Sequence, residues 1–253
     1  MTVIWGLDLK DMQWGKFKSS YMFGNTDYHM RRTKFCIYQG AMILTVVSES
    51  LGTAALSDYV DQQKFVSTHA PGATVHNNNF IGIASYNIFV GIYVATIFGA
   101  AFFFDLFWPA RQESRGVKRA WRICSVFACL LTLSCALAYT YIVATQSAFV
   151  SGADPDTAGR LLAQYGKKGS TMRYARNPRA LASVVFLWPG MVCTFASTVL
   201  LWRSLAHSER LGPLSTHARV AEQGEGEKGG QVETGREGEE ELVRPPPTHA
   251  VAV

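Results

Sequence analysis

Four long apolar stretches with almost no charge limit the folds open to this chain. They contain two acids, Glu49 and Asp105, and one base, Arg122. The stretches cover residues 35–56, 80–108, 120–148 and 180–202. A helix of roughly 20 apolar residues, rising 1.5 Å per residue, crosses the hydrocarbon core of a bilayer. A helix on the surface of a soluble protein would carry a polar stripe, and none of these stretches has one. The sequence therefore predicts an all-α fold, an integral membrane bundle of four transmembrane helices.

The distribution of Lys and Arg predicts the side of the membrane on which each connecting segment lies. Residues 1–34 carry six of these bases and residues 109–119 carry four, whereas the loop after the first span has only Lys64. Because cytosolic segments are enriched in Lys and Arg, both termini are expected in the cytosol. The loop 149–179 does not fit this orientation, since it is expected outside the cytosol and yet also holds six bases. No apolar run occurs in the first 30 residues, so the first span is expected to act as an uncleaved insertion signal.

Composition divides the chain into three parts. Residues 1–34 form a cytosolic segment that mixes aromatic residues with lysines, and residues 35–204 form the four-span domain. Residues 205–253 are predicted to be a disordered cytosolic tail, because the chain from Ser208 onward holds nine glutamates and little apolar surface to bury. Between the spans, the sequence predicts a polar loop over 57–79.

No catalytic, cofactor-binding or metal-binding motif is found in the sequence. All six histidines lie outside the spans, and the five cysteines lie within the spans or at their edges, a pattern that fits neither a haem nor a zinc site. The net charge of +5 requires no nucleic acid, because basic residues that flank spans face anionic lipid headgroups. The expected partners are the lipid bilayer and a membrane protein or a second copy of the chain. Either the plasma membrane or an endomembrane fits this pattern.

The sharpest candidate site is a layer of polar residues inside the membrane. Glu49 lies seven residues before the expected outer end of its span, at a depth of roughly 10 Å. Each of the other spans has polar or helix-breaking residues at a similar depth. These are Asn87, Tyr139, Tyr141, Trp188 and Pro189. Such a layer fits two functions: a proton or cation relay or small-ligand site, and a hydrogen-bonded cluster that holds the helices in register.

Small residues predict where the helices approach one another closely. Gly91, Ala95 and Gly99 share one face of the second span, and Ser48 and Gly52 share one face of the first. Small faces allow the backbones of transmembrane helices to come together. They can serve packing within one chain or a seam between two copies.

The layout resembles the tetraspan families, chiefly the MARVEL-like proteins of fungal type. The resemblance lies in the short N-terminal segment, four spans, two extracytosolic loops and polar tail, and it differs from claudins and tetraspanins, whose extracellular loops carry cysteines. It implies membrane organisation, vesicle trafficking or scaffolding. A second, shorter resemblance is to a cytosolic peptide of the small membrane subunit of the phagocyte NADPH oxidase. It covers residues 167–172, with the sequence KKGSTM.

Three classes of function remain open on these grounds. The first is a non-enzymatic membrane protein that organises membrane or serves as an accessory subunit. The second is a transporter or channel subunit that uses the polar layer around Glu49. The third is a membrane-embedded enzyme or oxidase accessory subunit. An enzyme would need a second acid–base group or a metal ligand beside that layer, and the sequence shows neither.

Overall fold

Four long helices dominate the structure, a computed structural model that describes residues 3–4, 7–24, 27–111, 113–152, 154–166 and 171–220. The four are α2 (Arg31–His69), α3 (Asn78–Phe107), α4 (Arg115–Thr145) and α6 (Pro178–Leu211). Each is long and apolar enough to cross a membrane. The predicted all-α fold with four candidate membrane-spanning helices is therefore confirmed.

Shorter elements lie at the two ends of these helices. They are the helices α1 (Ser19–Gly24) and α5 (Pro155–Gly166), and the strands β1 (Val3–Ile4), β2 (Leu7–Asp8), β3 (Thr74–His76) and β4 (Phe149–Ser151). The strands form two antiparallel pairs, β1 with β2 and β3 with β4.

The four long helices form a bundle in which α2 packs against α3 and α6, and α4 packs against the same two helices. Helices α2 and α4 therefore lie diagonally opposite each other. The interior is filled by fully buried side chains such as Tyr38, Phe98 and Leu187, while large apolar side chains such as Ile43, Phe127 and Val185 face outward. An apolar exterior is what a bundle surrounded by lipid tails requires.

Local sequence explains where two of the helices begin and where α6 ends. Asn177 precedes α6 and its side-chain oxygen accepts hydrogen bonds from the backbone N–H groups of Arg179 and Ala180, at 3.0 and 3.3 Å. Ser114 caps α4 in the same way. Gly212 follows α6 with a φ of 82°, a left-handed value that glycine adopts without strain.

Two sequence-based boundaries differ from the structure. Helix α2 continues to His69, through much of the segment 57–79 expected to be a loop, because polar residues keep it out of the hydrocarbon without breaking a helix. Helix α6 continues to Leu211, past the expected start of the disordered tail at 205, because Leu205 is still buried in the core. The remainder of that predicted tail, residues 221–253, lies outside the described residues.

The pairing of β3 with β4 brings two connecting segments to one end of the bundle. Strand β3 follows α2 and strand β4 follows α4. We call this the loop end. The opposite terminal end gathers residues 7–24, 27–30, 108–111, 113–114 and 205–220, where the backbone N–H of Ser215 donates to the carbonyl of Asp27 at 2.7 Å. Both ends of the described chain therefore lie on the same side of the bundle.

Candidate functional site

One polar residue from each long helix meets in the middle of the bundle. The hydroxyl of Ser48 donates to the backbone carbonyl of Ser183 at 2.8 Å, and the hydroxyl of Ser183 donates to the carbonyl of Ser48 at 2.7 Å. The amide nitrogen of Asn87 lies 3.3 and 3.4 Å from the two hydroxyl oxygens. The thiol of Cys135 lies 3.7 Å from the other amide atom, the oxygen of Asn87. We call these four buried residues the polar cluster.

Gly52 lies directly beside the polar cluster. A Cβ atom added to Gly52 would come within 3.2 Å of the amide nitrogen of Asn87, the hydroxyl of Ser183 and the hydroxyl of Tyr139. The Tyr139 hydroxyl is buried and has no hydrogen-bond partner among the described residues. The absent side chain of Gly52 therefore makes the space in which polar atoms from three other helices meet.

Glu49 does not join the polar cluster. Its side chain is half-buried on the neighbouring face of α2 and lies over Gly91 of α3, so that a Cβ atom on Gly91 would be 2.5 Å from a carboxyl oxygen. Within the described part of the chain, this carboxyl group has no hydrogen-bond or ion-pair partner. Val46 and Ser50, which flank it on α2, are exposed on the outside of the bundle. Glu49 therefore lies at the edge of the α2–α3 seam, where the bundle meets its surroundings.

The remaining residues of the predicted polar layer lie on the outside of the bundle. Tyr141 is 62% exposed, and Pro189 lies inside α6 on its exposed face without ending the helix. The indole N–H of Trp188 donates to the hydroxyl of Thr140 at 3.0 Å, which joins α6 to α4 near the surface. The structure thus brings Asn87 and Tyr139 together in the interior but separates both from Glu49, Tyr141, Trp188 and Pro189.

The small residues of α3 pack against α2 within the same chain. Gly91 lies under Glu49, and a Cβ atom on Gly99 would be 3.2 Å from the sulfur of Met42. Ala95, between them, is half-buried. Ser48 and Gly52 point from α2 into the bundle, as members and neighbours of the polar cluster. Four of these positions, Gly91, Gly99, Ser48 and Gly52, therefore make close contacts between helices inside one chain.

A second set of charged residues ties the helices together at the terminal end. The carboxylate of Asp105 pairs with Lys34 at 2.7 Å and with Arg111 at 2.9 Å, and Arg111 also pairs with Glu113 at 2.7 Å. The ammonium group of Lys34 further donates to the hydroxyl of Ser204 at 3.0 Å. This ionic cluster joins α2, α3 and α6. Asp105 is thus compensated by two cations, in contrast to Glu49.

Sequence reasoning overlooked several members of these clusters. The sequence did not assign Ser183 or Cys135 to a site, because serine and cysteine are common inside spans. It did not assign Lys34 either, because a lysine at the start of a span is expected to contact lipid headgroups. Depth gave no signal for Ser183, because it lies three residues inside its expected span, whereas Ser48 lies eight residues before the expected end of its own. Among the described residues, no group of His, Cys, Asp and Glu side chains could hold a metal ion.

The bundle and its clusters define a class of protein. The chain is a multi-pass helical protein of membrane type, with an apolar exterior and a hydrogen-bonded polar cluster inside. Comparisons with protein-family models, with curated proteins and with solved structures found no match. Of the peptide that is similar to an oxidase subunit, residues 167–170 lie outside the described part of the chain.

Proposed function

We propose that this protein is a non-enzymatic accessory subunit of MARVEL-like architecture that associates laterally with a membrane protein or a second copy of itself. Under this proposal Glu49 is the contact inside the membrane, and both termini lie in the cytosol. The observation that carries the proposal is that the half-buried carboxyl group of Glu49 has no partner among the described residues, whereas Ser48, Ser183 and Asn87 in the interior bond to one another.

The polar cluster supports this function over transport. A relay needs groups that gain and lose protons or ions along a path, yet Ser48, Ser183 and Asn87 are neutral and bond to each other across the middle of the bundle. Such bonds between helices hold register. The only carboxyl group at this depth, among the described residues of α2 and α3, lies at the α2–α3 seam rather than in the interior.

The position of Glu49 supports a lateral contact. A carboxyl group in the hydrocarbon region is costly to leave without a partner, and such groups usually face another polar group. The described residues of this chain supply none. A hydrogen-bond donor or a cation on an adjacent transmembrane helix would satisfy it, and the apolar side chains around it would complete the contact.

The mass of particles extracted in native-lipid nanodiscs tests this function. We expect wild-type particles to contain more protein than one 27.9 kDa chain, and Glu49→Leu to reduce them to a single chain. Glu49→Gln keeps a hydrogen-bonding side chain and should retain part of the assembly. Thr53→Leu is the matched control, because Thr53 is exposed one turn further along α2 and bonds only to the carbonyl of Glu49.

Two outcomes would contradict this function. Wild-type particles that contain a single chain would show that the protein has no lateral protein partner. The transporter would be favoured instead if wild-type protein in reconstituted vesicles conducted protons and Glu49→Gln did not.

A further inference from the structure

An arginine at the terminal end is buried with nothing to bond to. Arg31 is 2% exposed, and none of its three guanidinium nitrogens has a hydrogen-bond partner among the described residues. Three aromatic rings surround its charge, those of Tyr21, Tyr28 and Phe35, at 4.7, 5.4 and 5.2 Å. Ring faces attract a cation but do not accept hydrogen bonds from N–H groups in the guanidinium plane. The five N–H donors of Arg31 therefore make no hydrogen bond to the described residues.

Arg31 lines a cavity in which other polar atoms also lack partners. The cavity has a volume of about 60 Å³ and lies between α2, the end of α3 and the end of α6. One carboxyl oxygen of Glu113 and the Nε2 atom of His207, which also line it, are buried without a hydrogen-bond partner in the described structure. A space of this size holds about four water-sized atoms, the number of oxygens in a phosphate group.

The charge around this cavity favours an anion. Its lining contains four Lys and Arg residues and two acids. Both acids are already paired, Asp105 with Lys34 and Arg111, and Glu113 with Arg111. Arg31 and Lys118 have no acidic partner within the described part of the chain. The unpaired oxygen of Glu113 adds an acceptor, which a hydroxyl group on the same ligand would satisfy.

Two larger spaces have Arg111 and Glu113 in common with the lining of this cavity. One is a basic cleft of about 590 Å³ that opens between α4 and the end of α6, with Arg115, Lys118, Arg119 and Arg122 in its lining. The other is an apolar groove of about 540 Å³ between α3 and α4, which descends from Glu113 to the span residues Ile97 and Cys124. A polar chamber and an apolar groove that share two lining residues match the headgroup and an acyl chain of a phospholipid.

We propose that this cavity binds the phosphate group on the headgroup of an inositol-type phospholipid, with Arg31 and Lys118 on the phosphate and with Glu113 accepting from a headgroup hydroxyl outside the cavity. An acyl chain of the same lipid lies in the groove between α3 and α4. The phosphate-to-arginine contact alone would suit a soluble phosphate ester, and the groove is the feature that assigns the ligand to a lipid. The site is separate from Glu49 and does not depend on the proposed lateral association.

Lipid binding to the full-length protein tests the site. Wild-type protein in phosphatidylcholine nanodiscs, with and without phosphatidylinositol phosphate, would be examined by native mass spectrometry, with soluble inositol phosphate as competitor. We expect retention of the phosphorylated lipid and weak competition by the soluble headgroup. Arg31→Met should reduce binding about tenfold or more, as loss of charge-assisted hydrogen bonds does. Arg32→Met is the matched control, because Arg32 is the next residue and is exposed; its binding should equal that of the wild type.

Methionine fits among the aromatic rings, so Arg31→Met is expected to fold. If it does not, Lys118→Met on the rim of the cavity tests the same contact. Equal binding by the wild type and by a folded Arg31→Met or Lys118→Met protein would overturn the site. Full competition by soluble inositol phosphate at matched concentration would overturn its assignment to a lipid, and loss of binding in Arg32→Met as large as in Arg31→Met would show attraction to general surface charge instead.

Discussion

Ser48 of α2 and Ser183 of α6 each donate a hydroxyl hydrogen bond to the backbone carbonyl of the other, at 2.8 and 2.7 Å. The two bonds fix the relative height of two helices that are 135 residues apart in sequence. The amide of Asn87 and the thiol of Cys135 bring α3 and α4 to the same point. The centre of the bundle is therefore a neutral contact shared by all four long helices.

Removing either serine hydroxyl should destabilise the bundle modestly. We expect Ser48→Ala and Ser183→Ala each to cost about 0.5–1.5 kcal/mol, because each leaves a buried carbonyl with one bond fewer. The double variant should cost less than the sum of the two, since the bonds are reciprocal. Unfolding of the purified protein in mixed micelles measures these values.

Thr96→Val is the control for this series, because the exposed Thr96 hydroxyl bonds only within its own helix, to the carbonyl of Ile92. Serine variants as stable as Thr96→Val would show that the polar cluster contributes nothing to stability.

Gly52 should not tolerate a methyl group. We predict that Gly52→Ala destabilises the protein by about 1–3 kcal/mol, because its Cβ atom would press on Asn87, Ser183 and Tyr139 in a packed interior. Gly82→Ala is the matched comparison, since Gly82 lies on the exposed face of α3 with open space around it and alanine is the better helix former. Thermal unfolding should rank Gly82→Ala at or above the wild type, and a stable Gly52→Ala protein would contradict the described packing.

The pairing of β3 with β4 leads to a prediction about topology. Because it holds the segments after α2 and after α4 at one end, cysteines at Ser67 and Ala175 should react with an impermeant thiol reagent on intact cells. A cysteine at Ser114, at the terminal end, should not react. All three would be introduced into a chain cleared of its five native cysteines. Reaction at position 114 alone would show that the protein has the opposite orientation in the membrane. Opposite results at positions 67 and 175 would contradict the four-span topology.

Lipid binding at the terminal end should strengthen in mild acid. Burial lowers the pKa of His29 below its ordinary value of 6.5, and the nearby His207, Lys34 and Arg203 lower it further. The rings of His29 and His207 stack at 3.8 Å. A bound phosphate would raise the pKa of His29, so affinity should rise as the pH falls through the pKa of the bound form and should level off below that of the free form.

Phosphatidylinositol phosphate is the ligand in this measurement. The ratio of the wild-type affinity to the His29→Gln affinity is compared across pH, because protonation of the phosphate group affects both proteins equally. That ratio should rise on acidification, while His29→Gln still binds the lipid. A ratio that is constant or falls on acidification would contradict the placement of the headgroup beside His29.

The sequence predicted the helices well because a span needs only length and low charge, which 35–56, 80–108, 120–148 and 180–202 display directly. The helix ends were less predictable. Polar residues after Leu56 exclude α2 from lipid without ending it, and Leu205 continues the core beyond the last span residue Trp202.

Of the six residues that the sequence assigned to the polar layer, only Asn87 belongs to the polar cluster. Residues at one height in four helices face different directions, so Glu49 and Ser48, adjacent in sequence, lie on the seam and in the interior. Tyr139 and Tyr141 separate in the same way, since helical geometry turns positions two apart by about 200°. Which face each helix presents depends on how α2, α3, α4 and α6 pack together, and span composition does not encode that.

Photocrosslinking from the α2 surface tests the lateral contact at Glu49 most directly. A photoreactive amino acid at Ser50, exposed beside Glu49, would be compared with one at Leu137, exposed on the diagonally opposite α4. We predict a protein adduct from position 50 in native membranes, its loss when Glu49 is replaced by leucine, and lipid adducts alone from position 137. Equal protein adducts from both positions, or an adduct from position 50 that persists in Glu49→Leu, would contradict the account.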